Sequence, residues 1–243
     1  MAAASKSKEG LNGSICGINK DIKTTIIRLK KILNIKEFDS FPVYYYSNHN
    51  AVVGPGDVNI DKRLSEMLDY EIEVAIVIGK EGINIPANKA DDYIFGLTIM
   101  NDFSSRKIQM KEMRLNLGPA KGKDCATALG PWVTTIEDLN DQITKTPRGN
   151  IYDIDLKGYL NNKLLSQDNL KNMNWTFAQI IERISIGTKI YPGDIIGSGT
   201  CATGCLYELN SSSSTKEYWL KSKDTIKITA EMIGELENIV NII

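Results

Sequence analysis

Short runs of apolar residues, each ended by Gly, Pro, Asn or Asp, recur along this chain and predict many β-strands. The two strongest runs predict buried strands over residues 70–78 and 93–100, and a β-leaning aromatic segment covers residues 41–46. Helical spacing or helix-forming composition predicts three helices. Weaker strands are predicted over residues 132–135, 151–159, 163–166, 195–198 and 224–233, and the helices over 21–33, 104–116 and 174–185.

Turn-forming residues separate these elements. Gly and Pro predict a turn over residues 53–57 and an irregular segment over residues 117–131. Asn161-Asn162 predicts a hairpin turn between two strands, and the serine run at residues 211–214 predicts an exposed loop tip.

The order of the elements bears on the fold class. Many strands with three helices favour an α+β fold that is mainly β over an alternating parallel sheet. We expect a flexible leader over residues 1–20 and a single domain over residues 21–243. We expect residues 21–40 to form a short helical segment at the start of that domain.

Composition narrows the classes of partner. The chain has 243 residues, 42% of them apolar, which is ample for a sizeable core. Lys and Arg total 29 against 30 Asp and Glu, so the basic surplus of a nucleic-acid binder is missing. No apolar run approaches the ~18 residues that cross a membrane. We therefore expect neither nucleic acid nor membrane as a partner.

Cysteine usage and the first residues bear on the compartment. Four scattered cysteines are too few for a disulfide scaffold in a chain of this length. Residues 1–8 are rich in Ala, Ser and Lys, but no apolar signal segment follows them. We expect a cytoplasmic protein with reduced thiols, and a mitochondrial presequence stays open as the alternative.

Acidic residues interrupt the strongest predicted strand. Because alternate residues of a strand share a face, Asp69, Glu71 and Glu73 stand together opposite a wholly apolar face. Burying such carboxylates without a positive partner is unfavourable, and oxygen ligands of this kind favour Mg²⁺, Mn²⁺ or Ca²⁺ over Zn²⁺. The alternative is a solvent-facing strand edge whose charge is balanced by Lys or Arg.

A second acidic position follows the other strong strand. Asp102 ends that strand, where a carboxylate can cap a helix or bind a metal ion. Asp102, Arg106, Gln109 and Met113 recur at helical spacing and so share one face. Arg106 can bind a substrate carboxylate there, with Gln109 beside it. An ordinary salt bridge of Arg106 to a nearby acid is the alternative.

Four ordered blocks resemble the fumarylacetoacetate hydrolase family over roughly residues 41–240. They are Leu-Asp-Tyr-Glu-Ile-Glu at 68–73, Met-Asn-Asp-Phe-Ser at 100–104, Leu-Gly-Pro at 117–119 with Gly122-Lys123, and Gly-Ser-Gly-Thr at 197–200. The resemblance implies the family's C-terminal catalytic domain, a mixed β-sandwich roll with a few short helices. It also implies a homodimer.

The resemblance implies roles for nine residues. Three of them would hold Mg²⁺, with Ca²⁺ and Mn²⁺ as alternatives. Lys123 and Glu208 would be catalytic, and Glu208 would activate water. The other four would contact the substrate. The metal ligands are Glu71, Glu73 and Asp102, and the substrate contacts are Tyr45, Arg106, Gln109 and Thr200.

The family implies metal-dependent hydrolysis of a carbon–carbon bond in a small 1,3-diketo acid, such as an acylpyruvate or a fumarylacetoacetate-like acid. Two features depart from its pattern. Thr24 and Thr25 stand near the place of the histidine that assists hydrolysis, and Met113 replaces a tyrosine on the substrate helix. We interpret His49 as an ordinary loop residue. Decarboxylation of a 2-oxo acid, enol–keto isomerisation and a non-catalytic binding role therefore stay open as alternatives.

Overall fold

The computed structural model describes residues 2–4, 40–116, 118–212 and 218–243. The helices within these ranges are α1 (Ala87–Ala90), α2 (Arg106–Met113), α3 (Phe177–Ile184) and α4 (Leu206–Ser212). The strands are β1 (Ala2–Ala4), β2 (Val43–Tyr45), β3 (Val52–Val53), β4 (Gly56–Ile60), β5 (Leu68–Asp69), β6 (Ile72–Ile78), β7 (Ile94–Ser105), β8 (Ala126–Thr135), β9 (Ile143–Thr144), β10 (Ile151–Tyr152), β11 (Asp155–Leu160), β12 (Lys163–Asn169), β13 (Ile195–Gly197), β14 (Thr225–Ala230) and β15 (Gly234–Ile242).

The strands form two large mixed sheets. One runs in the order β2-β1-β13-β6-β7-β8-β3, with β5 paired to β7, and the other in the order β12-β11-β14-β15-β4. Most neighbours are antiparallel, but β1 with β13, β3 with β8 and β15 with β4 are parallel. This arrangement confirms the prediction of a mainly β, mixed fold with a few short helices.

Strand β6 is covered on both faces. Ile72, Val74, Ile76 and Ile78 are 0–1% exposed, as expected for the apolar face, and they belong to the main core. On the opposite face Glu73 is only 1% exposed. The alternative of a solvent-facing acidic edge is therefore wrong for this strand.

The helix predicted over residues 104–116 begins later and ends earlier in the structure. β7 continues to Ser105 because its last residues pair with both β5 and β8, Ser104 opposite Asp69 and Phe103 opposite Ala126. The backbone of residues 102–105 is thus used in sheet pairing, and α2 covers only Arg106–Met113. Local propensity could not reveal these tertiary partners.

Other boundaries differ for similar reasons. The segment predicted to be irregular over residues 117–131 contains the first part of β8. This part pairs with β7, with Ala126 opposite Phe103 and Gly130 opposite Ile99. The strand predicted over residues 224–233 ends at Ala230, and the following strand β15 pairs with both β14 and β4. The helix predicted over residues 174–185 is present as α3, with a capping box formed by Thr176 and Gln179.

Some predictions fall outside the described residues. β1 lies within the predicted leader, and the remainder of that leader and the helix predicted over residues 21–33 are not among the described residues. α4 extends to Ser212, so the predicted loop tip begins inside a helix. In the described part of the chain, no helix has both the length and the apolar character needed to cross a membrane.

Candidate active site

Three carboxylates meet where β6 and β7 run side by side. Ile72 pairs with Asn101, so the same register sets Glu71 opposite Asp102, and Glu73 follows on the same face. One oxygen from each of Glu71, Glu73 and Asp102 lies within 4.8 Å of the others. Their exposed fractions are 7%, 1% and 0%. The three predicted metal ligands therefore form one buried cluster.

Two cations enter this cluster. The Lys123 Nζ lies 2.5 Å from Glu71 Oε2 and 3.2 Å from Asp102 Oδ2. The Arg106 Nη1 lies 2.9 Å from Glu71 Oε1, and its Nη2 lies 2.8 Å from Asp69 Oδ2. The alternative of a salt bridge for Arg106 is thus confirmed, with two acids as partners.

The loop before β8 brings Lys123 to the acids. The Glu112 carboxylate accepts the backbone N–H groups of Ala120, Lys121 and Gly122 at 2.7–3.1 Å. A Cβ on Gly122 would lie 2.6 Å from the backbone of α2, so only glycine lets the loop pack this closely. Glu112 thus holds the loop that carries Lys123.

Burial and charge shift the pKa values of these groups. Burial favours the neutral form of Glu71, but the charges of Lys123 and Arg106 outweigh it and lower the pKa of Glu71 to about 2. For Glu73, burial and the charges of Glu71 and Asp102 raise the pKa well above its usual value. Burial also raises the pKa of Asp102. One carboxylate is thus stabilised as an anion by the two cations, and the other two lack equal compensation.

The donor set fits a divalent cation. Asp69, Glu71, Glu73 and Asp102 supply four carboxylates against the two cations, which leaves two negative charges when all are ionised. Asp102 Oδ1 is buried and has no hydrogen-bond partner among the described residues. Closely spaced carboxylate oxygens are the ligands that Mg²⁺, Mn²⁺ and Ca²⁺ prefer.

Tyr45 and Glu73 are held by single hydrogen bonds. The Tyr45 hydroxyl donates to Asp102 Oδ2 at 2.5 Å, and burial together with the acids raises the pKa of Tyr45 well above its usual value. Glu73 Oε2 accepts the N–H of Gly199 at 2.8 Å. Gly199 has a φ of +78°, a conformation that favours glycine, in the turn that leads to Thr200.

A cavity of about 480 Å³ opens above the cluster. Its charged end contains the acids and both cations, and its other walls are apolar, with Val43, Met110, Met113, Pro119 and the ring of Tyr207. Seven of the nine predicted site residues line it, and Asp102 lies fully buried beside them. Those seven are Tyr45, Glu71, Glu73, Arg106, Gln109, Lys123 and Thr200.

Glu208 is the exception. It lies in α4 and is half-buried, next to Tyr207, which lines the cavity. The charge of Glu208 acts on the buried thiols of Cys201 and Cys205 and helps to raise their pKa values, although burial is the larger cause. The side chain of Glu208 is not part of the cavity wall, and its assignment as the group that activates water stays a prediction.

The structure corrects two expectations about Asp102 and Asp69. Asp102 belongs to the acidic cluster and does not cap α2, because it lies inside β7 and Ser105 occupies the N-cap position. Asp69 lies in β5, which pairs with β7, and it is not one of the three clustered acids. Instead its carboxylate binds Arg106 and accepts the N–H groups of Leu206 and Tyr207. The alternation of acidic and apolar residues along the predicted strand indicated a role for Asp69. It did not indicate that Arg106, Leu206 and Tyr207 are its partners.

Residues 26–241 match the model of the fumarylacetoacetate (FAA) hydrolase C-terminal domain. A fumarylacetoacetase of Arabidopsis thaliana is 30% identical over 211 residues, which cover 72% of this chain and 50% of that enzyme. The chain thus spans about half the length of the plant enzyme.

Solved structures show the same fold. A 5-carboxymethyl-2-hydroxymuconate delta-isomerase from Mycobacterium smegmatis is 26% identical, with a TM-score of 0.68 over 83% of this chain and 70% of that one. A fumarylpyruvate hydrolase from Pseudomonas aeruginosa, solved in complex with Mn²⁺ and pyruvate, is 18% identical, with a TM-score of 0.67 over 83% of this chain and 79% of that one. The second likeness supports the fold alone.

The site consists of buried carboxylates and cations at the end of an open cavity. This class of site suits a small acidic ligand together with a divalent cation. The family match extends over most of the chain and includes every described residue of this site. The chain belongs to the fumarylacetoacetate hydrolase family, whose relatives include hydrolases and isomerases.

Replacing Glu73 by glutamine tests the metal ligands. Glutamine keeps an oxygen for the Gly199 N–H but loses the charge, so we expect Mn²⁺ affinity to fall by more than about 100-fold with the fold retained. Isothermal titration calorimetry and circular dichroism measure the two properties. Glu237→Gln, an exposed acid on β15, is the matched control and should bind Mn²⁺ like the unmodified protein. Unchanged affinity in Glu73→Gln would remove Glu73 from the site.

Proposed function

We propose that this protein is a metal-dependent hydrolase that cleaves a carbon–carbon bond in a small 1,3-diketo acid, with an acylpyruvate as the substrate class. The observation that carries the proposal is the cluster of Glu71, Glu73 and Asp102, which lies with Lys123 and Arg106 at the charged end of the cavity. Such a substrate has a carboxylate and two oxo groups, which cations can bind and stabilise. The rest of the substrate can pack against the apolar wall of the cavity.

Glu71, Glu73 and Asp102 would hold the divalent ion, with Mg²⁺ as the first candidate and Mn²⁺ or Ca²⁺ as alternatives. The ion would act as a Lewis acid and stabilise the enolate form of the diketone. Arg106 directs its Nη1 group to Glu71 and, at 3.0 Å, to Gln109 Oε1. Arg106 and Gln109 would together bind the substrate carboxylate, and their mutual hydrogen bond supports this assignment.

Hydrolysis needs a base, a water molecule and a stabilised leaving group. Glu208 would take a proton from water, whose oxygen bonds to the carbonyl carbon distal to the carboxylate. The carbon–carbon bond then breaks, and its electron pair leaves on the pyruvate enolate, which Lys123 stabilises through its ammonium group. The proton taken up by Glu208 goes to the enolate carbon. The products are a carboxylic acid and pyruvate.

Enol–keto isomerisation or decarboxylation of an oxaloacetate-type acid is the second candidate function. The observation that favours it is the position of Glu208 outside the cavity wall, together with the missing counterpart of the family's histidine. Both reactions proceed through a stabilised carbanion and need no activated water. The 26% identity to a delta-isomerase supports the same alternative.

Product analysis separates these candidates. Protein loaded with Mn²⁺ or Mg²⁺ is expected to convert acetylpyruvate into equal amounts of acetate and pyruvate, and EDTA should abolish the reaction because the carboxylate cluster then has no ion. Release of CO₂ from oxaloacetate, with acetylpyruvate unchanged, would instead establish the decarboxylase. Metal-loaded protein that converts neither acid nor their enol forms would contradict an enzymatic role and favour a binding function.

Met113 contributes an apolar side chain to the cavity wall. It is 54% exposed at the cavity wall, and both cations of the described lining are already paired with acids. We expect Met113→Lys to shift the ratio of kcat/KM by about 10-fold or more toward fumarylpyruvate, whose distal carboxylate gains a partner, and away from acetylpyruvate. Steady-state kinetics with both acids measure that ratio.

Met232→Lys is the matched control, since Met232 is 53% exposed and lies outside the cavity. It should leave the ratio unchanged. An equal ratio in both variants and the unmodified protein would show that residue 113 does not contact the distal part of the substrate.

A further inference from the structure

We infer that Asp69 is a positioning residue, which holds Arg106 and the first turn of α4 in fixed positions at the cavity wall. The inference deepens the proposed function and rests on it, because it concerns the same site. Asp69 is not among the residues that line the cavity and is 0% exposed. It would therefore act through its partners and not by contact with substrate or metal.

Both carboxylate oxygens of Asp69 are fully used. Oδ1 accepts the N–H of Leu206 at 2.7 Å and that of Tyr70 at 2.8 Å. Oδ2 accepts the N–H of Tyr207 at 3.0 Å and lies 2.8 Å from both Nε and Nη2 of Arg106. One buried carboxylate thus joins β5, α2 and α4, and no oxygen is left for a metal ion.

The contact with Arg106 determines which edge of the guanidinium reaches the cavity. Nε donates a charged hydrogen bond to Asp69 Oδ2 and Nη2 lies in ion-pair contact with the same oxygen, so the planar group cannot rotate without losing both interactions. Nη1 is then left for Glu71 and Gln109, the neighbours that line the cavity. Asp69 therefore orients the atom that would meet the substrate carboxylate.

The contact with α4 fixes a neighbouring part of the cavity wall. Leu206 and Tyr207 are the first residues of α4, and the Tyr207 ring lies 5.7 Å from the Arg106 guanidinium carbon. Glu208 follows directly, so its place depends on the same two backbone hydrogen bonds. A single side chain thus sets the spacing between Arg106 and the helix that carries the proposed base.

Asparagine at this position would break the arrangement without removing the side chain. Its amide has one oxygen for the four donor groups, and its NH₂ would face either Arg106 or the N–H groups of α4. We expect Asp69→Asn to lower kcat/KM on acetylpyruvate by about 100-fold, as small displacements of substrate-binding groups do, with Mn²⁺ affinity within about threefold of the unmodified protein.

Asp224→Asn is the matched control. Asp224 is also a buried carboxylate, 7% exposed, and accepts hydrogen bonds from Asn161, Tyr218 and Lys221, none of which lines the cavity. It should lose stability like Asp69→Asn but keep its kinetic constants. If Asp69→Asn also keeps kcat and KM, or loses activity only in proportion to unfolded protein, Asp69 is merely structural and the inference is wrong.

Amide hydrogen exchange provides a readout that does not need turnover. In Asp69→Ala, the amides of Leu206 and Tyr207 should exchange at least about 10-fold faster than in the unmodified protein or in Asp224→Asn, because their acceptor is gone. Unchanged exchange would overturn the inference even if the protein is an active hydrolase.

Failure of the proposed function would look different. If the unmodified, Mn²⁺-loaded protein converts no oxo acid, oxalate binding measured by calorimetry takes the place of kcat/KM. Asp69→Asn should then bind oxalate about 10-fold or more weakly, since Arg106 is no longer held toward the cavity. Equal oxalate affinity in Asp69→Asn and in the unmodified protein would overturn the positioning role.

Discussion

Within the described residues, four carboxylates are buried beside only two cations, and this imbalance is the interaction on which the site depends. Lys123 and Arg106 both contact Glu71 and hold it ionised, whereas Glu73 forms no ion pair with a cation among the described residues. A buried charge without a partner is unfavourable by several kcal/mol, so the cluster must take up either protons or a divalent ion. The raised pKa values of Glu73 and Asp102 correspond to the protonated cluster, whereas the proposed chemistry needs the cluster with a bound divalent ion.

The fold produces this cluster by pairing two strands that are covered on both faces. The register of β6 on β7 puts Glu71 opposite Asp102. The helix α2 then adds Arg106 to the cluster, and the loop before β8 adds Lys123. Glu112 holds the loop of Lys123, and Asp69 holds Arg106. Two acids outside the proposed metal cluster thus determine where its cations stand, and this connects packing to chemistry.

The sequence predicted the strong strands, the mixed β class and half of the residues that line the cavity, because alternation along a strand and ordered motif blocks are local signals. It did not predict that β7 would continue to Ser105, since that depends on pairing with β5 and β8. Asp69 illustrates the same limit. Its place on the acidic strand was visible, but its contacts with Arg106 and α4 require the folded chain.

Anomalous diffraction from crystals grown with Mn²⁺ tests the central claim most directly. The account predicts one strong peak per chain, about 2.0–2.6 Å from carboxylate oxygens of Glu71, Glu73 and Asp102, with Lys123 beside it. A crystal saturated with Mn²⁺ whose density shows no peak there, with the Lys123 ammonium filling the space between the acids, would contradict it.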